Sequence, residues 1–425
     1  MDLTVEDVDR HTIKLPFRSV AKRNMDRMLP HWRYFDLFEV ELACGAQGYG
    51  EDMLYYGWGT VEPDDINRSI GQHAVELLFD DTIGSLQIAL FDAVGTALGV
   101  PVYELVGTPR RTEVPLGWWC IDMPGEDWLC ECELAIARGY TAAKIKGRPW
   151  QDIRADIATL CSILPNWFTI GIDFNGTLLD AERALPILEE LTGYSQVKTI
   201  ETPVPHEDVD GHRRIARSLD ANVAVHNGRG VAELTQVQTG FAESYVLGTG
   251  GPDQLTREAG FAEFSGIPFW IQNLGILTAR FWAHVGATMP YNTLPNVFCD
   301  HLFAESPITI DLTVDGGTVT LGDLPGLGVG LDRAIIEKFQ VDRPTEQPSP
   351  DRLIRTTWPG REPMYFSTGR QLQEMARTGR LPYFESGVST ELVPNDGSDI
   401  WRRVHNNALE EPVVGEIDGL PSGQS

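Results

Sequence analysis

Tyr140-Thr141-Ala142-Ala143-Lys144-Ile145-Lys146 is a short, mostly apolar run that ends on two lysines. Similar runs follow at nearly even intervals and end on Asp173, on Glu201 and on the pair His226-Asn227. Each run is followed by a helix-like stretch. A (β/α)8 barrel has this pattern, because it repeats a strand and a helix and presents functional groups at the carboxyl ends of its strands. The sequence therefore predicts an α/β fold built on a barrel.

The alternation of strands and helices extends from Val114 to about Asp300. Strand ends are separated by about one βα unit, which favours a parallel sheet. Amphipathic helices such as Trp128–Arg138 and Leu277–Ala287 lie between the strands. The strand candidates are Leu116–Ile121, Ala142–Lys146, Thr169–Asn175, Val197–Thr202, Val223–Asn227, Tyr245–Thr249, Phe269–Gln272 and Asn296–Cys299. Eight candidates are enough to close a barrel.

The segments on either side of the barrel have different patterns. Phe35–Leu42 alternates apolar and polar residues, and a helical pattern begins at Ser69, so the amino-terminal part is predicted to be α+β. Its glycine- and tyrosine-rich segment Gly45–Thr60 is interpreted as a lid, although an ordinary surface hairpin has the same composition. The part after about Val341 is rich in Pro, Arg and Asp and has one helical piece near Gln371–Arg380.

Composition limits the classes of partner and compartment. The formal net charge of −27 argues against nucleic acid or an anionic membrane surface as a partner. The start of the chain is acidic rather than basic and apolar, which argues against a secretion signal. The longest apolar segment, Ile83–Val106, carries Asp92 and Glu104 and is not expected to span a membrane. Six cysteines are sparse for 425 residues and are interpreted as reduced thiols, so we expect a soluble cytoplasmic protein.

The charged residues at the strand ends suggest a reaction. Lys144 and Lys146 are two residues apart on a predicted strand, so their side chains point to the same face and lower each other's pKa. Asp173 and Glu201 end the next two strands, and carboxylate oxygens are the ligands that Mg²⁺ prefers. A cation and an amine base suit removal of the weakly acidic proton beside the carboxylate of a small-molecule substrate. The alternative is a set of solvated strand ends without a ligand.

Further motifs resemble a known family. The motifs are Ser85–Asp92, Gly99–Gly107 and Pro325–Val329 followed by Asp332. With the Lys-x-Lys, Asp and Glu motifs, the chain resembles the enolase superfamily, in the group of mandelate racemase and muconate-lactonizing enzyme, from about Phe35 to Phe339.

The resemblance implies a modified TIM barrel with an amino-terminal α+β capping domain. It also implies metal-assisted abstraction of a proton α to a carboxylate, which gives an enediolate. The expected division is residues 1–112 for the capping domain, 113–323 for the barrel, 324–345 for a segment that returns to the cap and 346–425 for a carboxyl-terminal extension. We expect the extension to wrap the barrel or to form a subunit contact, and the protein to be a homo-oligomer.

The resemblance also implies roles for residues at the barrel mouth. Lys146 is expected to be the base, and Lys144 to polarise the substrate carboxylate. Asp173 and Glu201 are expected to hold the cation. Asn175 lies two residues beyond Asp173, on the same face, and is expected to bind substrate.

The sequence departs from the family pattern on three strands. His226-Asn227 stands where the family has a third metal carboxylate; an amide oxygen suits Mg²⁺, whereas an imidazole favours Mn²⁺ or another transition metal. The pair is interpreted as a metal ligand, with a substrate contact or loss of the metal as alternatives. Tyr245 stands near the position of a second lysine, and Gln272-Asn273 near that of a catalytic histidine. These three residues are expected to bind the enediolate or the substrate.

Only one base is evident, which favours dehydration of an acid sugar by a carbon–oxygen lyase. Asp300, after the eighth strand, is the candidate proton donor or orienting group. The second hypothesis is a racemase or epimerase that uses Lys146 with a partner such as Tyr245. The third hypothesis is a catalytically inert barrel with a binding role.

Overall fold

The computed structural model describes residues 1–56, 59–226, 237–248 and 250–423. None of the helices within these ranges combines the length and apolar character needed to cross a bilayer. The predicted metal ligand Asn227 lies outside the described residues.

An antiparallel sheet and five α-helices form most of the amino-terminal region. The elements are β1 (Val5–Lys14), α1 (Ser19–Met28), β2 (Tyr34–Leu42), β3 (Gln47–Met53), α2 (Pro63–Ser69), α3 (Ala74–Leu77), α4 (Leu86–Leu98) and α5 (Val102–Val106). The sheet has the order β1-β2-β3. Helix α4 packs closely on β3, and a Cβ on Gly48 would stand 2.1 Å from the amide nitrogen of Ala93. Glycine at that position therefore lets the helix backbone reach the sheet.

The predicted lid is in large part a strand of this sheet. Gln47–Met53 pairs with β2 along its length, so the lid interpretation is wrong for these residues. Tyr56 beyond the strand lines the cavity over the barrel mouth.

The middle of the chain is a parallel barrel. The short strand β4 (Glu113–Pro115) precedes it. The barrel elements are β5 (Trp118–Trp119), α6 (Gly125–Ala137), β6 (Ala142–Lys146), α7 (Ile153–Ile163), β7 (Thr169–Asp173), α8 (Ala181–Thr192), β8 (Val197–Glu201), α9 (Val209–Ser218), β9 (Asn222–His226), β10 (Ser244–Leu247), α10 (Pro252–Ser265), β11 (Phe269–Ile271) and α11 (Leu277–Ala287). Strands β5 to β11 form one parallel sheet in sequence order. The predicted fold class is confirmed.

The eighth strand candidate, Asn296–Cys299, closes the barrel without being a regular strand. Asn296 bridges in parallel to Leu116, and Val297 bridges in parallel to Gln272, so this segment joins both edges of the sheet. The Asn296 side chain accepts a hydrogen bond from the Ile271 amide at 2.6 Å and donates one to the Pro115 carbonyl at 2.9 Å. The extended backbone then ends, because Cys299 has a left-handed φ of 61°.

The rest of the chain forms two further antiparallel sheets with three helices. The elements are β12 (Val314–Asp315), β13 (Thr318–Thr320), α12 (Arg333–Phe339), β14 (Leu353–Thr357), β15 (Met364–Phe366), α13 (Gly369–Arg377), β16 (Ser389–Val393), α14 (Asp399–Glu410) and β17 (Val413–Val414). Strands β12 and β13 pair with β4, whereas the last four form a sheet of order β16-β14-β15-β17. The sequence predicted a helix near α13 but did not predict this sheet.

Trp150, just beyond β6, packs the extension against the barrel mouth. Its buried ring belongs to the same hydrophobic cluster as Trp358 and Phe366 of the extension. Its indole Nε1 donates to Asp122 Oδ2 at 2.9 Å, and its carbonyl accepts from the Thr390 hydroxyl at 2.7 Å. The extension therefore lies next to the carboxyl ends of the barrel strands.

Candidate active site

Four charged side chains meet at the ends of β6, β7 and β8. Lys146 pairs in register with Asp173, and Asp173 with Glu201, so their side chains lie on one face of the sheet. Lys146 Nζ donates to Asp173 Oδ2 at 2.5 Å. Lys144 Nζ is ion-paired with Glu201 Oε2 and lies 3.6 Å from Asp173 Oδ2. All four residues are buried, and none of them exposes more than 8% of its surface.

Burial and neighbouring charges shift the proton affinities of these groups. Burial lowers the pKa of Lys146; the Asp173 carboxylate opposes this shift, and the Lys144 ammonium adds to it. Burial by itself would raise the pKa of Asp173, yet Lys146 and Lys144 outweigh that effect and hold the pKa below its usual value. Burial and the adjacent Asp173 charge raise the pKa of Glu201 to about 7. The expected lowering of a lysine pKa is thus found at Lys146, with burial as its largest cause.

Asn175 reaches the amine pair, and Arg148 lies beside it. Asn175 has a left-handed φ of 48°, and its Oδ1 accepts from Lys146 Nζ at 3.3 Å and from Arg148 Nη2 at 2.5 Å. Arg148 is buried and also donates to the Gly147 and Asp173 carbonyls, each at 2.9 Å. The sequence analysis did not select Arg148. Its spacing of two residues from Lys146 was the available signal, since alternate residues share a face.

Asp173 and Glu201 fit as oxygen ligands for a divalent cation. Glu201 Oε1 is buried without a hydrogen-bond partner among the described residues, and a cation would satisfy such an atom. His226 Nδ1 lies 3.7 Å from this oxygen. Within the described ranges, no three His, Cys, Asp or Glu side chains are grouped as a metal site. The described residues therefore offer two carboxylate ligands with an imidazole beside them.

Gln272, directly after β11, is the predicted residue of this segment that reaches the site. Its Oε1 accepts a hydrogen bond from Lys144 Nζ, and its side chain lines the cavity. The adjacent Asn273 does not line that cavity, and its Oδ1 accepts from the Leu274 amide at 2.9 Å. Neighbouring residues on an extended chain point to opposite sides, so only one of the two faces the lysines.

The structure does not bring Tyr245 into the site. Tyr245 pairs in register with Val225 and Phe269, whereas the next residue, Val246, pairs with His226. Side chains alternate along a strand, so Tyr245 lies on the face opposite to His226. This corrects the interpretation of Tyr245 as a partner of Lys146.

Asp300 is also separated from the lysines. It begins the short 3₁₀ turn Asp300–Leu302 and lines a different cavity, of about 380 Å³, together with Arg138 and Tyr140. The left-handed turn at Cys299 redirects the chain before Asp300. The expectation that Asp300 serves the same site is therefore corrected.

A cavity of about 720 Å³ lies over the barrel mouth. Barrel residues such as Lys146 and His226 line it, together with Trp32 and Tyr56 of the amino-terminal region and Arg377 of the extension. The Trp32 ring packs edge-on against Tyr56, with ring centroids 4.8 Å apart. Three parts of the chain thus enclose one site.

Comparison with known proteins agrees with this architecture. The family described as Enolase C-terminal domain-like matches residues 129–335. The chain is 22% identical to o-succinylbenzoate synthase of Enterococcus faecalis over 383 residues, which are 79% of this chain and 98% of that protein. It is 23% identical to D-galactonate dehydratase of Ralstonia pickettii, over 76% of this chain and 93% of that protein.

A solved structure shows the same fold. The crystal structure of muconate cycloisomerase from Pseudomonas fluorescens has a TM-score of 0.66 at 22% identity and covers 80% of this chain and 100% of its own. The family match, the curated relatives and the fold agree with one another. Residues 129–335 belong to the family described as Enolase C-terminal domain-like, and the chain is similar over about four fifths of its length to proteins of the enolase superfamily.

Proposed function

We propose that this protein is a carbon–oxygen lyase that removes the proton α to the carboxylate of an acid sugar and expels water. The proposal rests on one observation: the amines lie on one side of the barrel mouth. Across from β6, the register places Val246 of β10 and Trp270 of β11 on the face shared with His226, and neither side chain is a base. Racemisation needs a base on each face of the carbon, and no second amine stands on those two strands within the described residues.

The proposed roles follow from the contacts of each side chain. Lys146, in the cavity beside Asp173 and Asn175, takes the α-proton and returns it to the departing hydroxyl, so that the proton leaves as part of water. Lys144 donates a hydrogen bond to the substrate carboxylate. A divalent cation, Mg²⁺ or Mn²⁺, held by Asp173 and Glu201 would supply fixed positive charge beside that carboxylate.

The remaining polar groups orient the substrate. Asn175 contacts Lys146, Gln272 contacts Lys144, and both line the cavity, which supports a role for each in binding substrate hydroxyls. His226 is proposed as a third contact to the cation. The similarity to D-galactonate dehydratase supports the choice of an acid sugar.

The experiment compares the wild-type protein with Lys146→Met on a panel of acid sugars in deuterated buffer with Mg²⁺ or Mn²⁺. We expect the wild type to release water, detected by mass spectrometry, and the variant to lose about 10²- to 10⁴-fold in kcat, which is the usual contribution of a general base. Lys198→Met, at an exposed position on β8, is the matched control and is expected to keep full activity.

The outcomes separate the hypotheses. Solvent deuterium at the α-carbon without loss of water would support a racemase or epimerase instead. Neither exchange nor water loss with any acid, with the metal present, would contradict catalysis and support the inert barrel.

A further inference from the structure

Four polar side chains line the end of the cavity between α1 and the extension: His31, Gln347, Ser349 and Arg352. Gln347 Nε2 lies 3.2 Å from His31 Nδ1. The fold brings His31 to the other three residues although more than 300 positions of the sequence separate them. We call this group the distal cluster.

Arg352 is the charged member of the distal cluster, and its contacts are all neutral. Its Nε donates to the Arg27 carbonyl at 3.0 Å, and its Nη1 to the Pro350 carbonyl at 3.2 Å and to Ser349 Oγ at 3.5 Å. The side chain is buried, with 8% of the residue surface exposed. In the part of the chain that the structure describes, no carboxylate is ion-paired with Arg352; the nearby Asp26 carboxylate, which raises the pKa of Arg352, is ion-paired with Lys22 and Arg33.

A buried guanidinium without a negative partner is costly. Burial lowers the pKa of Arg352 to about 10, so the group still carries its charge at neutral pH. The hydrogen bonds to neutral acceptors compensate part of this desolvation, and a partner of opposite charge would compensate more. A planar guanidinium matches a carboxylate or a phosphate with two parallel hydrogen bonds. An anionic group of a ligand in the cavity would supply that partner.

The charge of the whole cavity favours an anion as well. Five cationic side chains line it, against three acidic ones. Each acid already has a cationic partner: Asp122 pairs with Arg27, Asp173 with Lys146 and Glu374 with Arg370. The chain as a whole carries −27, so this excess of positive charge is local to the cavity.

We infer that Arg352, assisted by Ser349 and Gln347, binds a second anionic group at the end of the substrate remote from its reacting carboxylate. The substrate class is therefore a dianionic acid, with a carboxylate or a phosphate at its distal end. The inference rests on the proposed function for the reacting end of the substrate. It makes the carboxyl-terminal extension part of the active site, because the extension contributes Gln347, Ser349 and Arg352.

Calorimetric titration with three classes of acid tests the inference. The probes are hexonates, the matching hexarates and the matching 6-phosphohexonates, in several stereochemical series, so that each series differs only at its distal carbon. Titrations use the full-length Lys146→Met protein with Mg²⁺, in which turnover is blocked. We expect at least one dianionic probe to bind about tenfold or more tightly than its monoanionic partner, as a charged hydrogen-bonded contact provides.

The variants assign that preference to Arg352. Arg352→Gln, placed in the same background, is expected to remove the preference while hexonate affinity changes less than about twofold. Arg352→Lys keeps the positive charge and is expected to retain part of the preference. This variant also controls for misfolding of the first one. Arg355→Gln is the matched control, because Arg355 lies on β14 in an ion pair with Glu391 and does not line the cavity.

Each result of the titrations either supports or overturns the inference. A preference for the hexarate over the phosphorylated acid identifies a distal carboxylate, and the reverse identifies a phosphate; either supports the inference if Arg352→Gln removes it. A panel in which no dianion binds better than its partner, or in which the preference survives Arg352→Gln, overturns it. Turnover of hexonates with no such preference would overturn the inference and leave the proposed lyase function standing.

Discussion

Lys144 holds the carboxylate that the proposed divalent cation would also need. The Lys144 ammonium is ion-paired with Glu201 Oε2, while Glu201 Oε1 faces His226 without a hydrogen bond in the described residues. Within the described residues, no third carboxylate is grouped with Asp173 and Glu201. A bound cation would therefore depend strongly on the charge of Glu201. The proposed site is therefore sensitive to the loss of that single charge.

Glu201→Gln is expected to weaken binding of Mg²⁺ and Mn²⁺ by at least about 10- to 100-fold, because a neutral amide replaces one of two charged ligands. Calorimetry with each cation on the purified protein measures the change. Glu207→Gln, at an exposed position after β8, is the control and should bind as the wild type does. Equal affinity of wild type and Glu201→Gln would remove Glu201 from the cation site.

At the scale of elements, Glu51 connects the amino-terminal sheet to the barrel. It lies on β3, is buried, and its Oε1 accepts a hydrogen bond from the amide of Thr278 at 2.9 Å, in the first turn of α11. Burial raises the pKa of Glu51 to about 7, although the hydrogen bonds from that helix end oppose the shift. The contact therefore couples the packing of two elements to the protonation of one carboxyl group.

The pH dependence of stability follows from that shift. The folded protein keeps the Glu51 proton up to about pH 7, whereas the unfolded chain releases it near 4.5. Glu51 therefore lowers the free energy of unfolding as pH rises from about 4.5 to about 7, by roughly 3 kcal/mol for this shift. Glu51→Gln is expected to lack this part of the decline.

Denaturant unfolding at several pH values between 4.5 and 7.5 measures the difference between wild type and Glu51→Gln. Glu76→Gln, at an exposed position on α3, is the control and should follow the wild-type curve. Parallel curves for wild type and Glu51→Gln would show that Glu51 does not titrate in this range.

At the scale of the whole molecule, the amino-terminal region and the barrel share one hydrophobic core, whereas most buried apolar residues of the extension lie in two further clusters. The cluster around Trp150 joins a barrel residue to extension residues, and Phe384 of the extension packs into the main core beside Phe174. The division of the chain into capping domain, barrel, return segment and extension, after residues 112, 323 and 345, stays a prediction. The shared core supports coupled folding of cap and barrel, with the extension joined to the barrel through Trp150 and Phe384.

Trp150→Ala is expected to cost about 3–5 kcal/mol, because it removes a fully buried indole and opens a cavity at the joint between barrel and extension. We expect limited proteolysis to cut the extension first and to leave a fragment that contains the barrel. Trp167→Ala, at a side chain that is 55% exposed, is the control. Cleavage at the wild-type rate, with an unchanged free energy of unfolding, would show that Trp150 does not hold the extension.

The sequence by itself determined the barrel and the four charged residues at its mouth. Strand alternation has a period of two, and each βα unit returns the chain to the same edge of the sheet, so Lys144, Lys146, Asp173 and Glu201 were predictable from spacing. Both signals are local in the chain, and hydrophobic burial enforces them.

Tertiary structure alone decided which side chains near strand ends face the lysines. A register difference of one residue points Tyr245 away, and one left-handed residue before Asp300 sends it to another cavity, so neither outcome is visible in composition or spacing. Arg352 stands about 200 residues beyond Lys146 and enters the same cavity because Trp150 packs the extension there. Contacts between distant segments depend on the packing of the whole chain, and no local pattern encodes them.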